Sequence, residues 1–398
     1  MKAWIAVAAA VFIIGWGGNE FTPMLIEYTK VAGYTPVDVD ILLGAYVLGL
    51  IPGLLVASAF SDRRGRRPVM VAGLVAAALG SVVLAAGDVA GFAALLTGRI
   101  LSGLSVGIAM AVGSAWITEL SRAPYEDTPD GTGARRQSIA LSLGFGAGPL
   151  SAGLLAQFAP RPLELTYLVH AVLCVAVLAL VLRFSQETRT GRDDRRLLDS
   201  LKVPAVAHLR FVNVVVPMAP WVFGSAAVAY AIVPAMVSPK LGDWALPYTC
   251  GLTVLTLAFG VLVQPLARRL DDASTARAVV VSMVLMSMGV FAAVAVAITR
   301  SPVLALVVAV LLGSAYGIAL VSGLLEVQRI AEPHELAGLS GVYYALSYVG
   351  FLLPALLAAL ARYASYPLML SILGLVALAC TAVCALGWSR HLPVTGDP

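Results

Sequence analysis

The sequence predicts an all-α integral membrane protein, with twelve transmembrane helices in two pseudo-symmetric six-helix bundles. Three observations carry this. Of 398 residues, 60% are hydrophobic and only 12% charged, about half the charged fraction of a soluble domain. So apolar a chain needs the bilayer as its solvent. The apolar residues fall into twelve runs of roughly 20 residues or more, the length a bilayer core asks of a helix. Features of the first half also recur in the second, at offsets near half the chain.

In chain order the first six runs are 3–26, 39–60, 69–86, 91–120, 138–158 and 165–184. The second six are 211–237, 246–266, 278–298, 303–327, 339–360 and 368–388. Met1 and Lys2 lead straight into the first run with no cleavage signature, so the first helix is expected to be its own insertion signal. The polar stretch 185–208, with Glu187, Arg192 and Asp194, reads as a solvated linker. The expected domains are therefore 1–184, a cytoplasmic linker 185–208, and 209–398. With the N-terminus inside, 20 Lys and Arg fall on the cytoplasmic side and 5 (Lys30, Arg161, Lys240, Arg300, Arg362) outside, leaving Arg99 within the membrane. Lys and Arg concentrate in cytoplasmic loops, so both termini are expected in the cytoplasm of a multi-pass plasma-membrane protein. Heavy use of Ala, Val, Gly and Arg with few Lys points to a GC-rich bacterium.

The net charge of +4 gives no reason to expect nucleic-acid binding. The cysteines (Cys174, Cys250, Cys380, Cys384) lie in apolar runs and read as core residues. No metal-ligand cluster, Ser/His/Asp set or phosphate-binding loop is evident, so neither an enzyme nor a metal or cofactor is expected. Gly107-Ile108-Ala109-Met110 recurs as Gly317-Ile318-Ala319-Leu320, and Pro149 has its counterpart in Pro354. Duplicated halves place a binding site near the midplane of an alternating-access carrier. A monomer that moves a small molecule, driven by an ion gradient, is the expectation.

Four motifs sharpen this. The loop Ser58-Ala59-Phe60-Ser61-Asp62-Arg63-Arg64-Gly65-Arg66-Arg67-Pro68 pairs an acid able to sit at a helix N-terminus with arginines able to hold carboxylates. Glu119 falls at the cytoplasmic end of the fourth run, and Asp62, Arg66 and Glu119 are expected to form a cytoplasmic gate. The fourth run carries Arg99, a cation costly in the membrane, with Gly103 and Gly107 spaced for close packing. The fifth carries Gly144, Gly148, Pro149 and Gly153: Pro149 frees a carbonyl, and the glycines are expected to make a dry contact between the halves.

The first run holds Gly15-Trp16-Gly17-Gly18-Asn19-Glu20-Phe21-Thr22-Pro23, where Pro23 cannot donate to the carbonyl of Asn19. At about 1.5 Å per residue, Glu20 lies roughly 15 Å below Lys30 and Arg99 roughly 12 Å below Gly91. Their shared depth makes Glu20 and Arg99 the proton-coupling candidates, with a static buried ion pair as the alternative. Asn19, Glu20, Trp221, Tyr230 and Tyr316 are candidates for the substrate cavity. His170, alone among apolar residues, reads as a core histidine, and Glu326 as a rim partner of Arg329.

The loop resembles the Gly-x-x-x-Asp-Arg-x-Gly-Arg-Arg signature of the major facilitator superfamily, with Ser58 for the first Gly. Gly144 to Gly153 is similar to the superfamily's antiporter motif, with Ala152 for one Gly, and Gly18-Asn19-Glu20 with Pro23 resembles an element of its twelve-span drug:proton antiporters. The resemblance implies the major facilitator fold, protons as the coupling partner, a proton-carrying carboxylate at Glu20, and export of lipophilic or cationic small molecules. Uptake by symport or facilitation is the alternative. Those antiporters often have a second carboxylate earlier in the first helix, where this chain shows Val11, Phe12 and Ile13. That puts a two-proton stoichiometry in doubt.

The charge count makes a topological prediction. In a background lacking the native cysteines, Lys30→Cys and Lys240→Cys should react with an impermeant thiol reagent on intact cells, and Asp194→Cys should not. Labelling at 194 from outside would overturn the topology.

Overall fold

In the computed structural model the described residues are 1–129, 132–188, 203–272, 274–331 and 336–390, except the side chain of Ala337. Asp194 and His391 lie outside them. Among the described residues, twelve helices are long and apolar enough to cross a membrane. The first six are α1 (Ala3–Lys30), α2 (Pro36–Arg64), α3 (Arg66–Ala85), α4 (Phe92–Leu120), α5 (Thr132–Phe158) and α6 (Pro162–Phe184). The second six are α7 (Phe211–Lys240), α8 (Gly242–Leu270), α9 (Arg277–Thr299), α10 (Pro302–Ile330), α11 (Gly338–Leu360) and α12 (Tyr366–Leu386). The chain divides into two compact units, Met1–Leu201 and Lys202–Pro398.

Local chemistry sets several helix starts. Thr35 and Asp38 form a reciprocal capping box at the head of α2, satisfying two otherwise orphaned N–H groups. Proline stands at the start of α2, α6 and α10, where its missing N–H costs nothing. Apolar side chains such as Val172 and Leu375 remain exposed on α6 and α12, the faces that lipid would cover.

Inside each unit, small residues let helix backbones touch. A Cβ on Gly103 or Gly107 of α4 would lie 1.9 Å from the carbonyl oxygen of Tyr46 or 2.5 Å from that of Leu50, both on α2. The second unit repeats this: a Cβ on Gly313 or Gly317 of α10 would lie 2.4 Å from Thr256 O or 2.0 Å from Gly260 O on α8. Lipid supplies no hydrophobic force between helices, so such close packing must hold them together. The first and seventh helices are the most enclosed, each with 72% of its core window buried, against 28% for α12.

Two glycines of the α5 motif are used inside the first unit. A Cβ on Gly144 would lie 2.2 Å from Phe12 O, and one on Gly148 2.3 Å from Trp16 O. This face is therefore pressed onto α1 of its own unit, because only backbone without side chains fits that crossing. The matching contact in the second unit sets Gly350 of α11 against Pro220 O of α7.

Gly148→Leu should lower stability by about 1–3 kcal/mol through overpacking against unyielding backbone. Gly146→Leu, which meets nothing within 4 Å, should not. Thermal unfolding of both variants in detergent checks this, and equal melting temperatures would refute the contact.

Candidate functional site

Helix α1 is interrupted at Glu20, between stretches Ala3–Asn19 and Phe21–Lys30. Pro23 accounts for the break, since it leaves the carbonyl of Asn19 without its helical donor. Asn19 is buried, and its Nδ2 donates to Phe145 O at 3.4 Å. That carbonyl is the one Pro149 frees in α5, four residues before it. The amide of α1 thus repairs the defect of α5, and this ties together two motifs that the sequence shows separately.

Glu20 is fully buried, and among the described residues neither carboxyl oxygen accepts a well-formed hydrogen bond, the Trp16 side chain one turn earlier being a weak donor to it. Arg99 of α4 is 1% exposed and near enough to act on Glu20 electrostatically, but no ion pair within 4.0 Å joins them. The static ion pair is therefore not what the structure holds. The guanidinium instead lies 4.4 Å from the ring centre of Phe21 and 4.8 Å from that of Tyr46, and its Nε donates to Leu42 O at 3.1 Å. Aromatic faces hold a cation through their quadrupoles, and the Arg99 Nη1 has no hydrogen-bond partner. Close by, Tyr28 OH donates to Tyr167 OH at 3.2 Å. An unpartnered buried carboxylate costs several kcal/mol, whereas a neutral carboxyl costs less. The protonation state of Glu20 therefore changes the energy of the site.

His170 is not alone, as the sequence suggested. Its Nε2 lies 2.8 Å from Ile13 O, its Nδ1 2.6 Å from Ser81 Oγ, and its Nδ1 3.7 Å from Glu20 Oε1. The ring is satisfied like a core histidine yet sits beside the buried carboxyl of Glu20. Gly17 makes room for it, since a Cβ there would lie 2.3 Å from the ring.

At the edge of the unit Asp62, Arg66 and Glu119 meet. Arg66, 6% exposed, pairs with Asp62 at 2.8 Å and with Glu119 at 2.8 Å. The stretch read as solvated linker begins docked on this group. The Glu187 carboxylate accepts from the backbone N–H of Arg66 at 2.8 Å and of Arg67 at 2.9 Å, capping the first turn of α3. Thr188 donates to Glu119, and Trp116 Nε1 donates to Gln186 O at 2.9 Å. Gly65 has φ 98°, and a Cβ there would lie 2.4 Å from Glu187 Oε2, so the motif's glycine serves both a turn and a carboxylate.

The second unit carries a similar cluster that the sequence shows only in part. Glu326 is 2% exposed, so it is no rim residue. It pairs with Arg329 at 3.2 Å and with fully buried Arg210 of the α7 entry at 2.5 Å. Arg329 also pairs with Asp271. The signal for Arg210 was the position of Glu326, which matches Glu119 in the other half and so calls for an arginine.

The aromatic candidates also gather in the second unit. Phe223 stacks on Tyr348 with centres 4.0 Å apart and meets Tyr316 at 5.6 Å and Phe351 at 5.3 Å, while Tyr230 meets Phe351 at 6.3 Å. Phe223, the hub, is not among the sequence candidates; its place on the helix that carries Trp221 and Tyr230 was the available signal. Trp221 is buried outside these ring contacts. No group of three or more His, Cys, Asp or Glu able to hold a metal occurs among the described residues.

Comparison with known proteins gives three results. The family profile described as Major Facilitator Superfamily matches residues 5–355. Tetracycline resistance protein, class C, of Escherichia coli is 33% identical over 155 residues, covering 38% of this chain and 36% of that protein. Quinolone resistance protein NorA of Staphylococcus aureus is 25% identical over 151 residues, covering 38% of this chain and 37% of its own length. These matches thus span well under half of either relative. A solved D-xylose-proton symporter superposes with a TM-score of 0.74 over 99% of this chain and 98% of its own, at 15% identity, a likeness of fold alone.

Glu187→Ala should destabilise the protein by about 1–2 kcal/mol, as loss of a helix cap does. Thermal unfolding measures it, and an unchanged melting temperature would mean the docked segment contributes nothing.

Proposed function

The chain belongs to the Major Facilitator Superfamily and is a multi-pass transporter of that fold; on that premise we propose a proton-coupled antiporter that exports lipophilic or cationic small molecules by alternating access. The observation that carries the proposal is the Glu20 carboxyl, fully buried next to a helix discontinuity with no well-formed hydrogen bond and only a weak donor in Trp16. A group so placed binds a proton or a cation in turn, and each displaces the other. Arg99 sets the electrostatic bias without quenching the acid, because it rests on aromatic rings and not on the carboxylate. The partial likeness to two drug-resistance proteins supports export. Asn19, with Trp221, Tyr230 and Tyr316, is assigned to the substrate cavity.

Asp62, Arg66 and Glu119 form the cytoplasmic gate in this reading, and Glu187 belongs with them through the shared arginine. Uptake by symport would use the same carboxyl. The two differ in whether protons move against or with the substrate.

Glu20→Gln decides the role of the acid. In proteoliposomes loaded with lipophilic cations such as tetraphenylphosphonium, the variant should lose transport driven by an imposed pH gradient while still exchanging substrate. Driven transport at the wild-type rate, with wild-type pH dependence, would refute the proposal.

A further inference from the structure

Tautomer logic around His170 leads one step further, resting on the reading of Glu20 as proton carrier. A backbone carbonyl only accepts, so the His170 Nε2 bonded to Ile13 O at 2.8 Å must carry a hydrogen. In the neutral ring Nδ1 is then bare and accepts from the Ser81 hydroxyl at 2.6 Å. Glu20 Oε1 stands 3.7 Å from that same Nδ1, with both groups buried. An ionised carboxylate facing a bare Nδ1 sets lone pair against lone pair in a site without water-like screening. The arrangement is stable when one proton lies on one side or the other of this gap.

We propose that His170 is the internal acceptor of the Glu20 proton, so that Glu20 Oε1 and His170 Nδ1 share one proton between them. In the transfer the O–H bond of Glu20 breaks, an N–H bond forms at Nδ1, and a neutral acid and neutral ring become a carboxylate and an imidazolium. Net charge is unchanged. The Ser81 hydroxyl, which donates to Nδ1 in the neutral ring, gives up that bond in the transferred state, because the single Nδ1 position then holds the proton shared with Glu20. An approach of about 0.8 Å brings the pair to hydrogen-bond distance.

The groups that face the pair come from every neighbouring helix. Helix α3 gives Ser81, and α6 gives Cys174, whose Sγ lies 3.5 Å from Nε2. Arg99 of α4 acts on Glu20 through its charge and the Trp16 side chain of α1 as a weak donor, while Tyr28 of α1 and Tyr167 of α6 in turn feel the charge of Glu20. The consequence of the transfer is that Glu20 can ionise ahead of substrate arrival without becoming an uncompensated buried charge.

Nitrogen-15 NMR of the histidine-labelled full-length protein in detergent or nanodiscs tests this directly. The chain has 4 histidines, and the signal lost in His170→Gln identifies the ring. That variant keeps an amide donor toward Ile13. In the wild type, the Nδ1 signal should be displaced from the pyridine-type position toward the pyrrole type across about pH 5 to 8. In Glu20→Gln it should return to the pyridine type. In Ser81→Ala it should move further toward the pyrrole type, because Glu20 is then the sole source of the proton. The same Nδ1 signal in wild type and Glu20→Gln throughout the range would overturn the proposal. If Glu20→Gln loses driven transport but leaves the Nδ1 signal unmoved, only this inference fails. If the signal moves but driven transport persists, the shared proton stands and the antiport reading fails.

Discussion

The first unit is organised around one costly feature, the carboxyl group of Glu20 sealed inside α1 with no well-formed hydrogen bond. Most of what surrounds it follows from enclosing that group. The glycines of α5 bring its backbone against α1, the glycine at 17 admits the ring of His170, and Asn19 closes the carbonyl that Pro149 leaves open. With wider helix spacing, water would reach the acid and its two protonation states would differ little in cost. Close backbone packing is thus what makes the proton on Glu20 consequential.

The two units solve the same packing problem with the same devices but use them differently. Both cross their second and fourth helices, and their first and fifth, on glycine. Each also carries a buried arginine paired with a glutamate at the end of its fourth helix, Arg66 with Glu119 and Arg210 with Glu326. Only the first unit places an unpartnered acid in its leading helix. The second places a stacked aromatic cluster around Phe223 instead. In the proposed mechanism proton handling belongs to the first unit, and the apolar surface that suits lipophilic substrates to the second.

The fold and the motif positions were legible in the sequence because they rest on local rules. Twelve apolar runs declare twelve helices, a proline three residues after Glu20 declares the weak point of α1, and the Asp62–Gly65–Arg66 loop declares the turn that joins the second helix to the third. What was not legible depends on which side chains meet across helices. His170 looked isolated because its partners, Ile13, Glu20 and Ser81, are distant in sequence. Glu187 looked solvated because its role, capping the N–H groups of Arg66 and Arg67, appears only once the chain has come back to that end of the bundle. The glycines of α5 were recognised as a flat face, but periodicity could not say which helix they meet.

The central claim is that the buried acid exchanges a proton for a cationic substrate. Proton release on binding, followed with a pH-sensitive dye in lightly buffered detergent solution, tests it most directly. The account predicts that adding tetraphenylphosphonium to the wild-type protein releases protons and that its affinity rises with pH. Saturable binding without proton release, at an affinity independent of pH, would contradict it.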